Sequence, residues 1–197
     1  RAELRDIRGQ SISMIFQEPL SALSPLQRIG RQMAEVLRLH DNVHPKEAWR
    51  ISREWLEKVN IPDAADRLFA YPYQLSGGMQ QRIMIAMALM QSPDLIIADE
   101  PTSALDVVVQ KRVMMTLMRL QEELGSAVIL IGHDIGLITQ FADTLGVLYA
   151  GKLVEVGASR EVLEQPRHPY TWGVLNAYPN MTTARDLRGI RGRAPDA

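Results

Sequence analysis

The spacing of apolar positions changes along this chain, and each change marks an element. Ile12, Met14 and Phe16 alternate with Ser11, Ser13 and Ile15. That period of two predicts a short strand ending at Gln17. Gln17, Glu18 and Pro19 break it, because proline has no amide to donate, and a Ser- and Pro-rich loop is expected over residues 20–25 (LSALSP). A helix is expected over residues 28–39, followed by a break at 41–45. Pro45 suits the first position of the next helix, which runs to about residue 59. There Ala48, Ile51, Trp55, Leu56 and Val59 share one face, so this helix packs on a neighbour. A further short helix starts at 61–63. Residues 20–72 therefore read as all-helical.

From residue 76 the pattern alternates between element types. A helix is expected over 77–91, then a short apolar run at 95–98 followed by acids, as in a buried parallel strand. Residues 107–124 read as helix, 127–131 (AVILI) as a second buried strand, and 135–142 as helix. That βαβ order implies an α/β sheet covered by helices. Residues 145–156 read as two strands joined at Gly151-Lys152, a hairpin at a sheet edge. Short helices are expected at 159–164 and 168–177, and a polar, basic, loosely ordered tail from 181.

Composition narrows the function classes. With 22 basic and 23 acidic residues in 197 the net charge is -1, which gives no support to nucleic-acid binding by bulk electrostatics. There is no cysteine, hence no disulfide, no thiolate metal site and no Cys nucleophile. The longest uninterrupted apolar run is residues 83–90; a bilayer needs about twenty residues, so any membrane link is expected to pass through a partner. The chain opens with Arg1 in a charged stretch (RAELRDIRGQ) and reads like an excised piece.

Four places carry candidate chemistry. Ser76-Gly77-Gly78 opens a helix: its free amides, the helix dipole and the hydroxyl form an anion site, although a plain N-cap with a glycine turn fits the same residues. Asp99 and Glu100 end an apolar strand, at the edge where parallel strands place ligands. Asp99 suits a Mg²⁺ held through water and Glu100 the polarisation of an attacking water; a solvated Asp-Glu-Pro loop is the plainer alternative. His133 follows the second buried strand by two residues and so reaches the same edge, in a structural or a functional role. Gln17 ends the first strand, beside the helical region.

Taken in order, these segments resemble the ATP-binding subunit of ABC transporters, in the branch that imports dipeptides, oligopeptides or nickel. Gln17 in MIFQEP matches the family's Q-loop, LSGGMQQR at 75–82 its signature, and LIIADEP at 95–101 its Walker B. Residues 103–106 (SALD) match its D-loop and His133 its switch histidine. Tyr71-Pro72-Tyr73-Gln74 and the run 166–175 (PRHPYTWGVL) resemble the peptide importers in particular. Residues 187–195 (LRGIRGRAP) resemble a later element of the same extension, with Arg191 where Pro is usual. Gly132 stands where Thr is more usual before the histidine. No G-x-x-x-x-G-K-[ST] occurs, so the family's Walker A, with its phosphate nest and lysine, is expected upstream of Arg1.

The resemblance implies a P-loop NTPase-like α/β core with an inserted helical subdomain and a C-terminal extension. The expected divisions are 1–19 (end of the core part and Q-loop), 20–75 (helical subdomain), 76–158 (signature helix and core) and 159–197 (extension). It implies Glu100 and His133 as catalytic, and Gln17, Ser76, Gly77, Gly78, Gln80 and Asp106 as ATP contacts. Asp99 and Gln17 would be ligands of Mg²⁺. The implied partners are a second such ATPase, like or unlike, pairing head to tail, then two transmembrane permease subunits and, indirectly, a substrate-binding protein, but no nucleic acid. The implied location is the cytoplasmic face of the cell membrane. Without Walker A the chain as given is expected not to hydrolyse ATP. Two alternatives stand: a soluble ABC ATPase outside transport, and a non-catalytic cassette that pairs with an intact one.

Overall fold

The structure, a computed structural model, describes residues 7–41, 43–177 and 190. The chain divides into two compact units, residues 1–133 and 134–197.

In the first unit, strands β1 (Ile12–Ile15), β2 (Leu95–Asp99) and β3 (Ala127–Ile131) form a parallel sheet in the order β1-β2-β3. The register aligns Met14 with Ile97 and Ile97 with Ile129. Between β1 and β2 lie helices α1 (Pro19–Ala22), α2 (Ile29–Asp41), α3 (Pro45–Lys58) and α4 (Ala64–Arg67), a 3-10 turn (Pro72–Gln74) and α5 (Gly77–Leu89). Helix α6 (Val107–Leu124) joins β2 to β3.

Period two decides which side chains of the sheet are buried. Ile15, Ile96 and Ala98 are fully buried in one cluster with Ile83, Ile85 and Leu89 of α5 and Val113, Leu117 and Leu120 of α6. The alternate positions face outward: Met14 is 41% exposed, Ile129 50% and Ile131 45%. Helices α5 and α6 thus cover one set of strand residues, and among the described residues the alternate set is exposed.

Caps set the helix limits. Asp106 Oδ1 accepts a hydrogen bond from Val109 N–H at 3.0 Å, opening α6. Gly125, at φ 69°, closes it and donates its N–H to Gln121 O and Glu122 O, a left-handed turn that glycine adopts without a Cβ penalty. In α3 the buried face is Ala48, Ser52, Trp55 and Leu56, as the helical period requires. Past its end Asn60 has φ 56°, and two arginines satisfy carbonyls there. Arg82 of α5 donates to Asn60 O at 2.8 Å, and Arg119 of α6 donates to Lys58 O at 2.6 Å. Cations at a helix C-terminus also complement its dipole. Burial, with Arg112 close by, lowers the Arg82 guanidinium from its usual range.

Two local expectations are corrected. The LSALSP segment expected as loop contains the helical turn α1, because Pro19 takes its first helical position, where a missing N–H costs nothing. The helix expected over 135–142 stops at Ile138 as α7 (Ile135–Ile138). Beyond it Gln140 and Phe141 donate to carbonyls only three residues back, Leu137 O and Ile138 O, a tighter turn than the α-helical ladder.

In the second unit, Asp134 caps α7 through Leu137 N–H at 3.0 Å. Strands β4 (Thr144–Tyr149) and β5 (Lys152–Ala158) pair antiparallel as a two-stranded sheet of their own. This corrects the expected hairpin at the edge of the larger sheet. Ala150 (φ 48°) and Gly151 (φ 71°) make the turn, the two left-handed residues that a tight hairpin needs. Helices α8 (Ser159–Glu164) and α9 (Pro169–Ala177) follow. The expected tail from 181 lies outside the described residues, apart from Ile190, whose side chain packs on Gly173.

Glu155 of β5 ties the HPYT segment to the hairpin. Its carboxylate accepts from Arg167 N–H at 2.7 Å and His168 N–H at 3.0 Å. The Arg167 bond first, then the Thr171 hydroxyl and the His168 bond, favour the charged form and lower the Glu155 carboxyl from its usual value near 4.5. A carboxyl depressed on folding stabilises the native state above its unfolded pKa, and that contribution disappears as pH falls through the lower native value. Thermal unfolding of the chain is therefore expected to lose stability on acidification below about pH 4.5, with a smaller loss in Glu155→Gln. Identical pH profiles for the two proteins would show that this anchor does not contribute.

Candidate functional site

Three parallel strands end side by side, and each delivers one polar side chain just past its carboxyl end. Gln17 lies two residues beyond β1, Glu100 directly after β2 and His133 two residues beyond β3. The structure joins all three. Gln17 Nε2 donates to Glu100 Oε2 at 2.7 Å, and His133 Nδ1 lies 2.9 Å from Glu100 Oε1.

The backbone explains how Glu100 reaches both neighbours. Its N–H donates to Ile131 O at 2.9 Å, extending the β2–β3 ladder by one residue. Its carbonyl accepts from the N–H and the hydroxyl of Ser103, both at 3.2 Å. Between these anchors its φ is 43°, a left-handed conformation that costs a non-glycine residue about 1–2 kcal/mol. The side chain is aimed at the centre of the three strand ends as a result. Glu100 is 25% exposed and His133 76% exposed at their side chains, so the carboxylate is sheltered and the imidazole reaches outward.

Hydrogen-bonding roles follow from the acceptor-only nature of an ionised carboxylate. Gln17 must present its NH₂ to Glu100, which leaves its carbonyl oxygen as an acceptor. His133 must carry a proton on Nδ1, which directs Nε2 away from Glu100. Asp99 is half-exposed at the end of β2, opposite Ile131 in the register. Among the described residues no group of three or more His, Cys, Asp or Glu is positioned to hold a metal alone. Mg²⁺ is commonly bound through one or two carboxylates together with waters and a ligand's phosphates. Asp99 at the end of β2 and Gln17, two residues beyond the adjoining β1, offer one carboxylate and one amide oxygen, donors of that kind.

Ser76, Gly77, Gly78 and Asp106 form a second cluster, where α5 and α6 begin. Ser76 caps α5, its Oγ accepting from Met79 N–H at 3.4 Å. Ser76 and Gly77 are exposed and Gly78 is buried. Asp106 is exposed and caps α6. A Cβ on Gly77 would lie 3.4 Å from Leu105 Cδ2, and one on Gly78 would lie 2.7 Å from Val109 Cγ1. The start of α5 therefore rests directly on the segment that opens α6. Among the described residues no hydrogen bond or ion pair is seen between Ser76, Gly77 or Gly78 and Gln17, Glu100 or His133.

Gln80, expected to contact ATP, turns its amide toward its own chain. It is buried, and its Nε2 donates to Pro72 O at 2.8 Å and Leu75 O at 3.1 Å. Helical phase turns it inward from Ser76, so its amide braces the 3-10 turn ahead of the signature. Val109 and Arg82 also support this cluster, and neither was singled out by sequence reasoning. Val109 is one of three consecutive valines, and nothing in their order shows which one faces Gly78. The spacing Gly146 to Gly151-Lys152 copies part of a phosphate-binding loop, but Leu153 replaces the hydroxyl residue and the segment is the β4–β5 hairpin.

Comparison with known proteins places this arrangement. A family model described as ABC transporter matches residues 2–103. The chain belongs to the ABC transporter family. A second model, described as the C-terminal region of oligopeptide/dipeptide transporters, matches residues 154–197. The dipeptide transport ATP-binding protein DppD of Bacillus subtilis is 46% identical over 195 residues, covering 98% of this chain and 58% of that protein. The oligopeptide transport ATP-binding protein OppD of Salmonella typhimurium is 45% identical over 195 residues, with 98% and 58% covered. The chain thus spans rather less than three fifths of these relatives' length. Among solved structures, a dimeric post-hydrolysis state of the ATP-binding cassette MJ0796 bound to ADP and Pi superposes with a TM-score of 0.70. It is 31% identical, with 81% of this chain and 67% of that one covered. The α/β cassette fold expected from the motifs is the fold observed.

Proposed function

We propose that this chain is the larger part of an ATP-hydrolysing subunit that energises import of di- or oligopeptides across a membrane. The observation that carries the reading is the double anchoring of Glu100, with one carboxylate oxygen on Gln17 and the other on His133. A carboxylate aimed and sheltered in this way suits a group that orients water and takes its proton. It also weighs against the alternative of a non-catalytic cassette, which has no need of the strained backbone at that residue. The peptide branch rests on the relatives' names and on the match at 154–197.

In this reading Glu100 aligns the attacking water and accepts its proton. His133, through Nε2, faces the terminal phosphate while Nδ1 keeps the carboxylate in line. Asp99 and the Gln17 carbonyl would hold Mg²⁺, which when bound neutralises phosphate charge and fixes the phosphate oxygens. Ser76 and the amides of Gly77 and Gly78 would face a nucleotide held mainly by a second, like or unlike, ATPase subunit, as the separation of the two clusters within one chain supports. Gln17, between the site and the helices of residues 19–67, would couple hydrolysis to two permease subunits at the cytoplasmic face of the membrane. An external binding protein would deliver the peptide, and no nucleic acid takes part. Among the described residues no helix is long and apolar enough to cross a membrane, so the permeases would supply the passage.

The test is uptake of a labelled dipeptide into vesicles holding the full-length protein and its membrane subunits. ATP-dependent uptake that is lost in Asp99→Asn is the expected result. ATP hydrolysis without uptake of any di- or oligopeptide would overturn the substrate class.

A further inference from the structure

Gly78 of α5 packs directly against Val109 of α6 beside the signature. A Cβ built on Gly78 would lie 2.7 Å from Val109 Cγ1, well inside the contact distance of two carbon atoms, about 3.5–4.0 Å. Relief is difficult from either side. Val109 is β-branched and held to one main rotamer in a helix. Its N–H is bonded to Asp106 Oδ1, so the first turn of α6 resists displacement. Opposite, α5 is buried along most of its length and anchored by Gln80 to Pro72 O and Leu75 O. The neighbouring glycine is not so confined: a Cβ on Gly77 would meet Leu105 Cδ2 at an ordinary 3.4 Å.

We infer that Gly78 is required for helix packing, and that Val109 is a positioning residue that fixes Ser76 and the Gly77 amide relative to Asp106. The starts of α5 and α6 then behave as one rigid block. Anything that moves Asp106 moves the signature turn with it, so contacts made by the two segments to a partner subunit are read together. The inference rests on the proposed ATPase reading only where turnover is concerned; the packing of Gly78 on Val109 stands on its own.

A sign reversal tests it. Gly78 is at the second position of α5, where alanine ordinarily favours the helix over glycine. Propensity alone therefore raises the melting temperature of Gly78→Ala, whereas the Val109 contact lowers it. In the full-length protein, Gly78→Ala is expected to lower Tm by several degrees. Introduced into a Val109→Ala background, the same change is expected to raise Tm or leave it unaltered, because the space for the methyl group now exists. A drop of equal size in both backgrounds would overturn the packing role. In the full-length protein, Gly78→Ala is expected to lower kcat at least about ten-fold with KM for ATP within about two-fold, and Val109→Ala to restore kcat to within about three-fold of its own single variant. Stability rescued without kcat would keep the packing and overturn the positioning role. Absence of ATP hydrolysis in the unaltered full-length protein would refute the ATPase reading instead, and the Tm comparison would then decide the packing role alone.

Discussion

Full-length protein carrying Glu100→Gln is expected to lose ATP turnover by about 10²–10⁴-fold, the usual worth of a positioned general base, while still pairing with its partner in the presence of ATP. The substitution replaces one carboxylate oxygen by an NH₂ of nearly the same size. Gln17 Nε2 donates to one Glu100 oxygen and His133 Nδ1 meets the other, so the new NH₂ is accommodated only if the Gln17 amide flips or the His133 proton moves to Nε2. The anchors at Ile131 O and Ser103 are untouched, so the fold and the left-handed backbone at residue 100 persist. The loss therefore falls on proton transfer and alignment. Phosphate release, followed by malachite green, measures the first part, and light scattering with ATP measures the pairing. Unchanged phosphate release would refute the assignment of Glu100 as base.

The second large effect concerns the chain by itself. Among the described residues Met14, Ile129 and Ile131 stand exposed on one face of the sheet, with Ile12 and Phe16 also exposed. Apolar residues clustered on an uncovered surface bind hydrophobic dyes and drive association. The purified chain is expected to enhance ANS fluorescence strongly and to self-associate at micromolar concentration. It is also expected to release no phosphate from ATP, because its 197 residues include no G-x-x-x-x-G-K-[ST] loop. Adding a charge at the centre of the patch, as in Ile129→Lys, should weaken both dye binding and association. A monomer that leaves ANS dark would show the face to be covered. Mg²⁺-dependent turnover by the chain alone, abolished by Glu100→Gln, would overturn the expected inactivity.

Local chemistry explains which parts of this fold were legible. Helix α6 matches its expected limits because Asp106 and Gly125 cap it with residues suited to those positions. Strand β3 matches because an apolar run sits between Gly125-Ser126 and Gly132. The turn α1 was hidden because a proline after a strand reads as a breaker, while the same proline is well suited to opening a helix. Which set of strand residues α5 and α6 bury was hidden because runs such as AVILI are apolar at every position. Gln17, Glu100 and His133 were legible from their places at strand ends, since parallel strands bring those ends together. Their mutual hydrogen bonds were not, because these depend on the backbone angle at Glu100. The inward turn of Gln80 was not legible either: motif membership does not reveal helical phase, and phase turns its amide to Pro72 and Leu75.

Charge and geometry at residue 100 are separated by Glu100→Asp in the full-length protein. Aspartate keeps the carboxylate but withdraws it by one methylene from Gln17 and His133, which in the unaltered chain lie 2.7 and 2.9 Å from the glutamate oxygens. If a carboxylate held between those two side chains is what activates water, phosphate release by Glu100→Asp falls nearly as far as that of Glu100→Gln. Phosphate release by Glu100→Asp at the rate of the unaltered protein would contradict it.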